Sequence, residues 1–337
     1  MTDLASAAGT AIRTEALDLV RRAARVLVVA HHNPDGDALG SAAGLALTLM
    51  DQGARVAVLL RGTWPDHLGF LLDGLEIRRD LDGGADYDLV VLLDCHAFDR
   101  LGPGFESLAA DLAALPLMVL DHHPLGEEEA ARDFWVLRPE ASSTGELVWA
   151  LIQALGWVPP RAAGEALLVA MSSDTAFFTQ SNTTPGALRA AADLLERGCD
   201  LAGIHQKIRQ DVPLRRLKLM GLALDTLTLH YQGRLATMIV DEGMLEAAGA
   251  QPADTEDFVE FGRSLAGVEL SAFFKNKGQG PGSIRVSLRS RDEVDARALA
   301  LAFGGGGHRQ ASAYNDPTAS DIPTALANFL AQAEKYL

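Results

Sequence analysis

Cysteine is nearly absent from this chain of 337 residues: Cys95 and Cys199 are the only two, and neither belongs to a CxxC or Cys/His zinc spacing. That excludes a disulfide framework and a thiolate metal site, and it fits a reducing cytosol. No apolar run reaches the ~18–20 residues of a membrane span. The first residues carry Asp3, Glu15 and Asp18 and no signal-type apolar core, so the expected location is cytoplasmic. Positive charge is also short, with 29 Lys and Arg against 45 Asp and Glu and a net charge of −16. Such a chain is a poor binder of long duplex DNA or of an anionic membrane. Phosphate substrates stay open, because bound cations reverse the local sign. No internal repeat or low-complexity tract appears.

What is present is a regular alternation of short apolar runs and helical patterns. Arg25 to Ala30 (RVLVVA), Arg55 to Leu60, Asp88 to Leu93 and Leu117 to Leu120 read as buried strands. Helical spacing follows over Ala38 to Gln52, Ser142 to Leu155, Glu165 to Ser173 and Ala187 to Arg197. Continuous apolar strands separated by helices predict a parallel sheet covered on both faces. The serines before Glu146 predict a capped start for the helix at 142–155. Beyond a helical stretch at 199–223, interrupted near Pro213, the pattern changes. A hairpin over 227–240 and strands over 268–275 and 283–290 predict a smaller α/β domain, closed by helices near 295–303 and 322–336. The expected division is thus 1–198, a helical linker 199–223, and 224–337.

Three of the four strands run into chemistry-bearing residues. The first leads into His31-His32-Asn33-Pro34-Asp35-Gly36-Asp37, the third into Asp94, and the fourth into Asp121-His122-His123. Ligands of open parallel sheets sit at the carboxyl ends of strands, so these groups converge on one edge. Asp174, after the helix at 165–173, adds a fourth group. Clustered carboxylates are tolerable only with cations among them. Asp35, Asp37, Asp94 and Asp174 offer hard oxygen, and His31 and His122 offer nitrogen. This thiolate-free set suits Mn²⁺, with Mg²⁺, Co²⁺ or Fe²⁺ as alternatives. A turn cap, a helix cap and a surface His pair would each explain one motif alone, but not three strand ends together.

The set His31-x-Asn33-Pro34-Asp35-Gly36-Asp37, Asp94, Asp121-His122-His123 and Asp174 resembles the four motifs of the DHH phosphoesterase family. That family includes RecJ exonucleases, family II pyrophosphatases and the nano-RNase NrnA type. Phe303-Gly304-Gly305-Gly306-Gly307-His308 resembles the signature of the DHH-associated domain, and the segments at 141–146 and 181–185 are similar to the nano-RNase subgroup. The resemblance covers nearly the whole chain. It implies that His31 and Asp35 bind one divalent ion, that Asp37, His122 and Asp174 bind another, and that Asp94 bridges them. His123 would face the scissile phosphate and Asp121 would orient from behind. The implied activity is hydrolysis of short oligoribonucleotides to nucleoside 5′-monophosphates, and of 3′-phosphoadenosine 5′-phosphate to AMP. A homodimer is a further expectation from the resemblance.

In the second domain, residues 263–310 hold eight Lys or Arg and four Asp or Glu, against the acidic background. Arg285 and Arg289 share one side of a strand. Gly305, Gly306 and Gly307 with His308 would cradle phosphate through backbone N–H groups; tight packing is the plainer reading of such a run. Phe273 and Phe274 are candidates for base stacking or for core. The nearest rivals are a cyclic- or linear-dinucleotide phosphodiesterase and, in another class, a non-catalytic nucleotide sensor.

Overall fold

A computed structural model of the chain describes residues 12–81, 86–124, 135–210, 212–276, 278, 280–291 and 294–337. Lys277 and Gln279, between the expected strands at 268–275 and 283–290, lie outside the described residues. The chain divides into two units, Met1–Asp211 and Val212–Leu337.

The first unit runs α1 (Thr14–Arg22), β1 (Arg25–Ala30), α2 (Gly36–Asp51), β2 (Arg55–Leu59), β3 (Glu76–Arg78), β4 (Leu89–Leu93), α3 (Phe105–Ala113), β5 (Leu117–Asp121), β6 (Trp135–Leu137), α4 (Thr144–Leu155), α5 (Arg161–Asp174), α6 (Pro185–Glu196) and α7 (Leu201–His205). Its six strands lie in the order β3-β2-β1-β4-β5-β6, and every pairing is parallel. β1, β2, β4 and β5 carry continuous apolar runs because both sides are buried. Val26, Val28 and Ala30 of β1 face a core shared with α2, α4 and α5, while Leu27 and Val29 face a core with Leu108 and Leu112 of α3. Each such side chain contributes about 1.5–3 kcal/mol relative to exposure. The order reverses between β1 and β4, which places the switch point of a doubly wound sheet between the strand ends that carry His31 and Asp94.

α2 is buried along almost its whole length. It lies against α5 at glycine distance: a Cβ on Gly40 would fall 2.5 Å from the Ala166 carbonyl, and one on Gly36 would fall 2.0 Å from Ser173 Oγ. This close approach brings the first turn of α2, with Asp37, beside the last turn of α5, with Asp174.

The second unit runs α8 (Leu214–Asp225), β7 (Thr228–His230), β8 (Leu235–Val240), α9 (Glu242–Ala248), α10 (Phe258–Arg263), β9 (Leu270–Asn276), β10 (Ile284–Ser290), α11 (Ala296–Leu301), β11 (Gly306–Gly307), β12 (Ala311–Asn315) and α12 (Ile322–Ala333). Its sheet, ordered β11-β12-β10-β9-β8-β7, is antiparallel except for the parallel pair β8–β9. One face packs on α11 and α12. On the other, Met238, Val240 and Phe273 pack with Leu219 and Ala223 of α8 and Phe258 of α10. Phe273 and Phe274 are both buried, against Phe258 and Phe329 respectively. The base-stacking reading of this pair is therefore corrected: β9 is a central strand covered on both faces, so each ring goes into a core.

Candidate metal centre

The residues expected at the sheet edge converge in the first unit. Asp94 follows β4 in a left-handed conformation, φ 57°, an uncommon state that turns its carboxylate over the strand end. Its two oxygens face opposite ways. Oδ2 lies 3.3 Å from His31 Nε2, and Oδ1 lies 3.4 Å from His122 Nε2. Ligand atoms of His31, Asp35 and Asp94 form one group within 4.8 Å of one another, and those of Asp37, Asp94 and His122 form a second. Asp94 is the member common to both. Asp174 Oδ2 joins the second group at 3.1 Å from His122 Nε2.

Local structure fixes each donor. His31 Nδ1 lies 3.0 Å from its neighbour's carbonyl, His32 O, so the proton belongs on Nδ1 and the lone pair on Nε2, the atom that faces Asp94. Asp35 caps α2 by accepting from Ala38 N at 3.1 Å, and its side chain is the exposed member of the set, at 53%. Asp37 is fully buried and accepts from Thr144 N at 2.7 Å, Gly145 N at 3.0 Å and Ser41 Oγ at 3.1 Å. The first turn of α4 thus points its free N–H groups at a carboxylate, worth about 0.3–2 kcal/mol for a helix N-terminus. Thr144 Oγ1 also donates to Asp94 Oδ1 at 3.1 Å. The cap at the start of α4 is Ser143, whose Oγ accepts from Glu146 N at 3.2 Å. Glu146 in turn accepts from Ser142 N and from Thr184 Oγ1, tying the loop before α4 to the start of α6.

Asp121, fully buried, accepts from His123 N at 2.9 Å and lies 2.8 Å from His123 Nδ1; its other oxygen is bonded to His96 Nδ1. His123 Nδ1 is also 3.3 Å from Asp94. His96 and Arg100, whose guanidinium lies 3.9 Å from Asp121, carry no signal in the sequence beyond their place in the loop after Asp94.

The field here is strongly negative. Burial, then the charges of Asp174 and Asp94, push the Asp37 carboxyl well above the usual range, and burial also raises Asp174. For Asp94 the burial effect is outweighed by His123, His122 and His31, which hold it well below. Burial would lower the imidazoles, but Asp174 and Asp94 carry His122 up to about 12, and the Asp94 charge with the Asp121 bond carries His123 up to about 9. A site that draws protons this strongly draws divalent cations, with which those protons compete. Two oxygen-and-nitrogen groups sharing one carboxylate, with His31 presenting its lone pair inward, fit a pair of divalent ions.

In the second unit, Arg285 and Arg289 alternate with the core residues Ile284, Val286 and Leu288 and so share the opposite side of β10. Arg289 is engaged, with Nε 2.9 Å from Glu260 Oε1. Among the described residues Arg285 makes no ion pair, and burial lowers its pKa. The glycine run closes α11 and enters β11. The N–H groups of Gly304, Gly305 and His308 bond to Leu301, Ala300 and Ala311 carbonyls. A Cβ on Gly305 would fall 2.3 Å from the Ala313 carbonyl, so close packing accounts for that glycine. Packing is almost as close at Gly307, where a Cβ would fall 2.6 Å from the Ala311 carbonyl, whereas a Cβ on Gly306 would meet nothing within 4 Å.

A buried carboxylate–imidazole cluster at the switch point of a doubly wound sheet is the build of a metal-dependent hydrolase. Residues 25–174 match the DHH family N-terminal domain, and residues 235–337 match the DHHA1 domain. The chain belongs to the DHH family of phosphoesterases. It is 31% identical over 293 residues to the bifunctional oligoribonuclease and PAP phosphatase NrnA of Thermus thermophilus, covering 84% of this chain and 81% of that protein. It is 26% identical over 304 residues to the Bacillus subtilis protein of the same name, covering 89% and 92%. Among solved structures, an exopolyphosphatase-related protein from Bacteroides fragilis superposes with a TM-score of 0.86 at 26% identity, covering 100% of this chain and 98% of that one. No helix among the described residues is long and apolar enough to cross a membrane.

Proposed function

We propose that the protein hydrolyses short oligoribonucleotides to nucleoside 5′-monophosphates and 3′-phosphoadenosine 5′-phosphate to AMP. The observation that carries this reading is Asp94, shared between two donor groups, in a chain similar over most of its length to proteins named for those two activities. The two reactions are one chemistry. Water adds to a phosphorus attached to a ribose 3′-oxygen, the P–O3′ bond breaks, and the 3′-oxygen leaves with a proton. In both substrates a 5′-phosphate lies one nucleoside away.

His31 and Asp35 would hold one divalent ion, Asp37, His122 and Asp174 the other, and Asp94 both. Oxygen and imidazole donors without thiolate favour Mn²⁺. When bound, the ions supply Lewis acidity to the phosphoryl group and ease ionisation of water. Asp121 accepts from His123 Nδ1–H, which fixes the ring, and the protonated imidazole would offer Nε2–H as its second donor to a phosphoryl oxygen. His96 fixes Asp121 from the far side. Against the effect of burial, the charge of Asp94 and the bond to Asp121 raise the His123 pKa, the direction a donor requires. Arg285, which makes no ion pair among the described residues, is the better candidate of the two β10 arginines for the distal phosphate, together with Gly306, Gly307 and His308. The acidic chain suits a short strand or a nucleotide better than a long duplex.

The test is product analysis with Mn²⁺ on pApA, a five-nucleotide RNA, cyclic di-AMP and 3′-phosphoadenosine 5′-phosphate. Release of 5′-AMP from pApA and from the bisphosphate supports the reading. Cleavage of cyclic di-AMP alone would replace it with a cyclic-dinucleotide phosphodiesterase, and binding without turnover would replace it with a sensor.

A further inference from the structure

The loop after Asp94 carries a guanidinium that the metal ligands leave unused. Arg100 lies in a 3₁₀ turn, Phe98–Leu101. Its backbone is held firmly: its carbonyl accepts from His32 N at 2.8 Å, and its N–H donates to Ala97 O at 3.2 Å. Arg61 braces the same loop through the carbonyls of Leu101 and Pro103. Gly102, at φ 87°, packs so closely that a Cβ would fall 2.5 Å from the His32 ring. The turn is therefore docked on the loop that supplies His31 and Asp35.

From that base the Arg100 side chain, 31% exposed, reaches the cluster edge. Among the described residues its one ion pair is a long contact, 3.9 Å, to Asp121 Oδ2, and that oxygen already holds His96 Nδ1. A guanidinium carries five N–H donors in a planar fork, so most of its capacity is free. Through its other oxygen Asp121 holds His123 Nδ1 at 2.8 Å, so the guanidinium lies on the carboxylate that positions His123. An arginine held only to balance Asp121 would close on it with a short paired contact. Arg100 does not, and the four carboxylates Asp35, Asp37, Asp94 and Asp174 are the natural counter-charges of two divalent ions, not of Arg100.

We infer that Arg100 binds the non-bridging oxygens of the scissile phosphate, acting from the loop after Asp94 as the cationic clamp of the reaction. This rests on the phosphoesterase reading but not on the choice of nucleotide. A planar fork suits two phosphoryl oxygens at once, and a preorganised donor at such a site is worth on the order of 10²–10³ in rate.

The experiment compares full-length wild type, Arg100→Lys, Arg100→Gln and Arg100→Ala. Measurements are Mn²⁺ binding by calorimetry, thermal unfolding, and hydrolysis of both pApA and bis(p-nitrophenyl) phosphate. The expected result is unchanged Mn²⁺ affinity and folding, with kcat/KM lowered about 10²-fold in the Gln and Ala variants on both substrates. Arg100→Lys should recover part of the loss. Millimolar guanidinium chloride should rescue Arg100→Ala but leave Arg100→Gln unmoved. Near-wild-type turnover, or loss of Mn²⁺ binding without guanidinium rescue, would overturn the inference. If wild type leaves pApA intact yet cleaves the synthetic diester, the substrate reading fails while the Arg100 test still stands.

Discussion

Gly36→Ala tests how the fold sets the spacing of the metal centre. Gly36 sits between Asp35 and Asp37 in the first turn of α2. An added Cβ would fall 2.0 Å from Ser173 Oγ and 2.7 Å from Ser173 Cβ. The hydroxyl can rotate away, but the Ser173 Cβ is fixed to α5. Carbon atoms rest at about 3.5–4.0 Å, so α2 and α5 must part by roughly 1 Å at this turn. Asp37 and Asp174, one on each helix, part with them. Overpacking of this kind costs about 1–3 kcal/mol, whereas helix propensity alone favours alanine by up to ~1 kcal/mol. The expected net loss is about 1–2 kcal/mol. A displacement near 1 Å at a catalytic site lowers turnover about 10²-fold. The assays are thermal unfolding, Mn²⁺ calorimetry and pApA hydrolysis. Gly36→Ala/Ser173→Gly removes both clashing atoms and should return most of the metal affinity and rate. A raised unfolding temperature with full activity in the single variant, or no recovery in a well-folded double variant, would refute the reasoning.

Further predictions concern conformation and pH. Ala176, Phe177 and Phe178 follow Asp174 with φ of 46°, 58° and 63°. A left-handed conformation costs an L-residue about 1–2 kcal/mol, so Ala176→Gly should stabilise by up to ~1 kcal/mol after its own entropy cost; a lowered unfolding temperature would contradict this. Asp316 is fully buried and accepts from Thr318 N and Ala319 N at 2.9 Å and from Asn328 Nδ2 at 3.1 Å. Burial would raise its pKa, but these bonds outweigh it and hold the carboxyl below its ordinary value. A depressed folded pKa gives stability that is present above the unfolded value of about 3.9 and is lost as pH falls through the folded value. Asp316→Asn should therefore cost about 1–3 kcal/mol at pH 7 and flatten the acid limb of a urea stability profile below about pH 4. A parallel profile with an unchanged acid limb would count against this account.

Much of the first unit was legible because its chemistry lies where periodic structure ends. The β1 run stops at Ala30, as the apolar pattern predicts, and His31 follows at the strand end. Asp94 and Asp121 mark the ends of β4 and β5 in the same way. Asp174 was harder to read, since α5 carries no break in pattern before it and its partner, Asp37, is fixed by the α2–α5 contact. His96 and Arg100 escaped because a single residue in an irregular loop has no period to betray it. Thr144 was hidden by a correct reading of its neighbour: the Ser143 cap explains the motif, while the N–H and hydroxyl of Thr144 do separate work on Asp37 and Asp94. β3 and β12 were missed because they are short edge or near-edge strands of mixed polarity, and β6 because its three apolar residues are too short a run to show a period. In the second unit the alternation of β10 correctly gave a shared side for Arg285 and Arg289, but only packing shows that Glu260 engages one and not the other.

The central claim is that Asp94 stands between two divalent ions. It is tested most directly by anomalous diffraction from manganese-soaked crystals of wild type and Asp94→Asn. The account predicts two peaks in wild type, one beside His31 and Asp35 and one beside Asp37, His122 and Asp174, with the Asp94 carboxylate touching both, and reduced occupancy at both in the variant. A single peak away from Asp94, or two peaks that persist at full occupancy in Asp94→Asn, would contradict it.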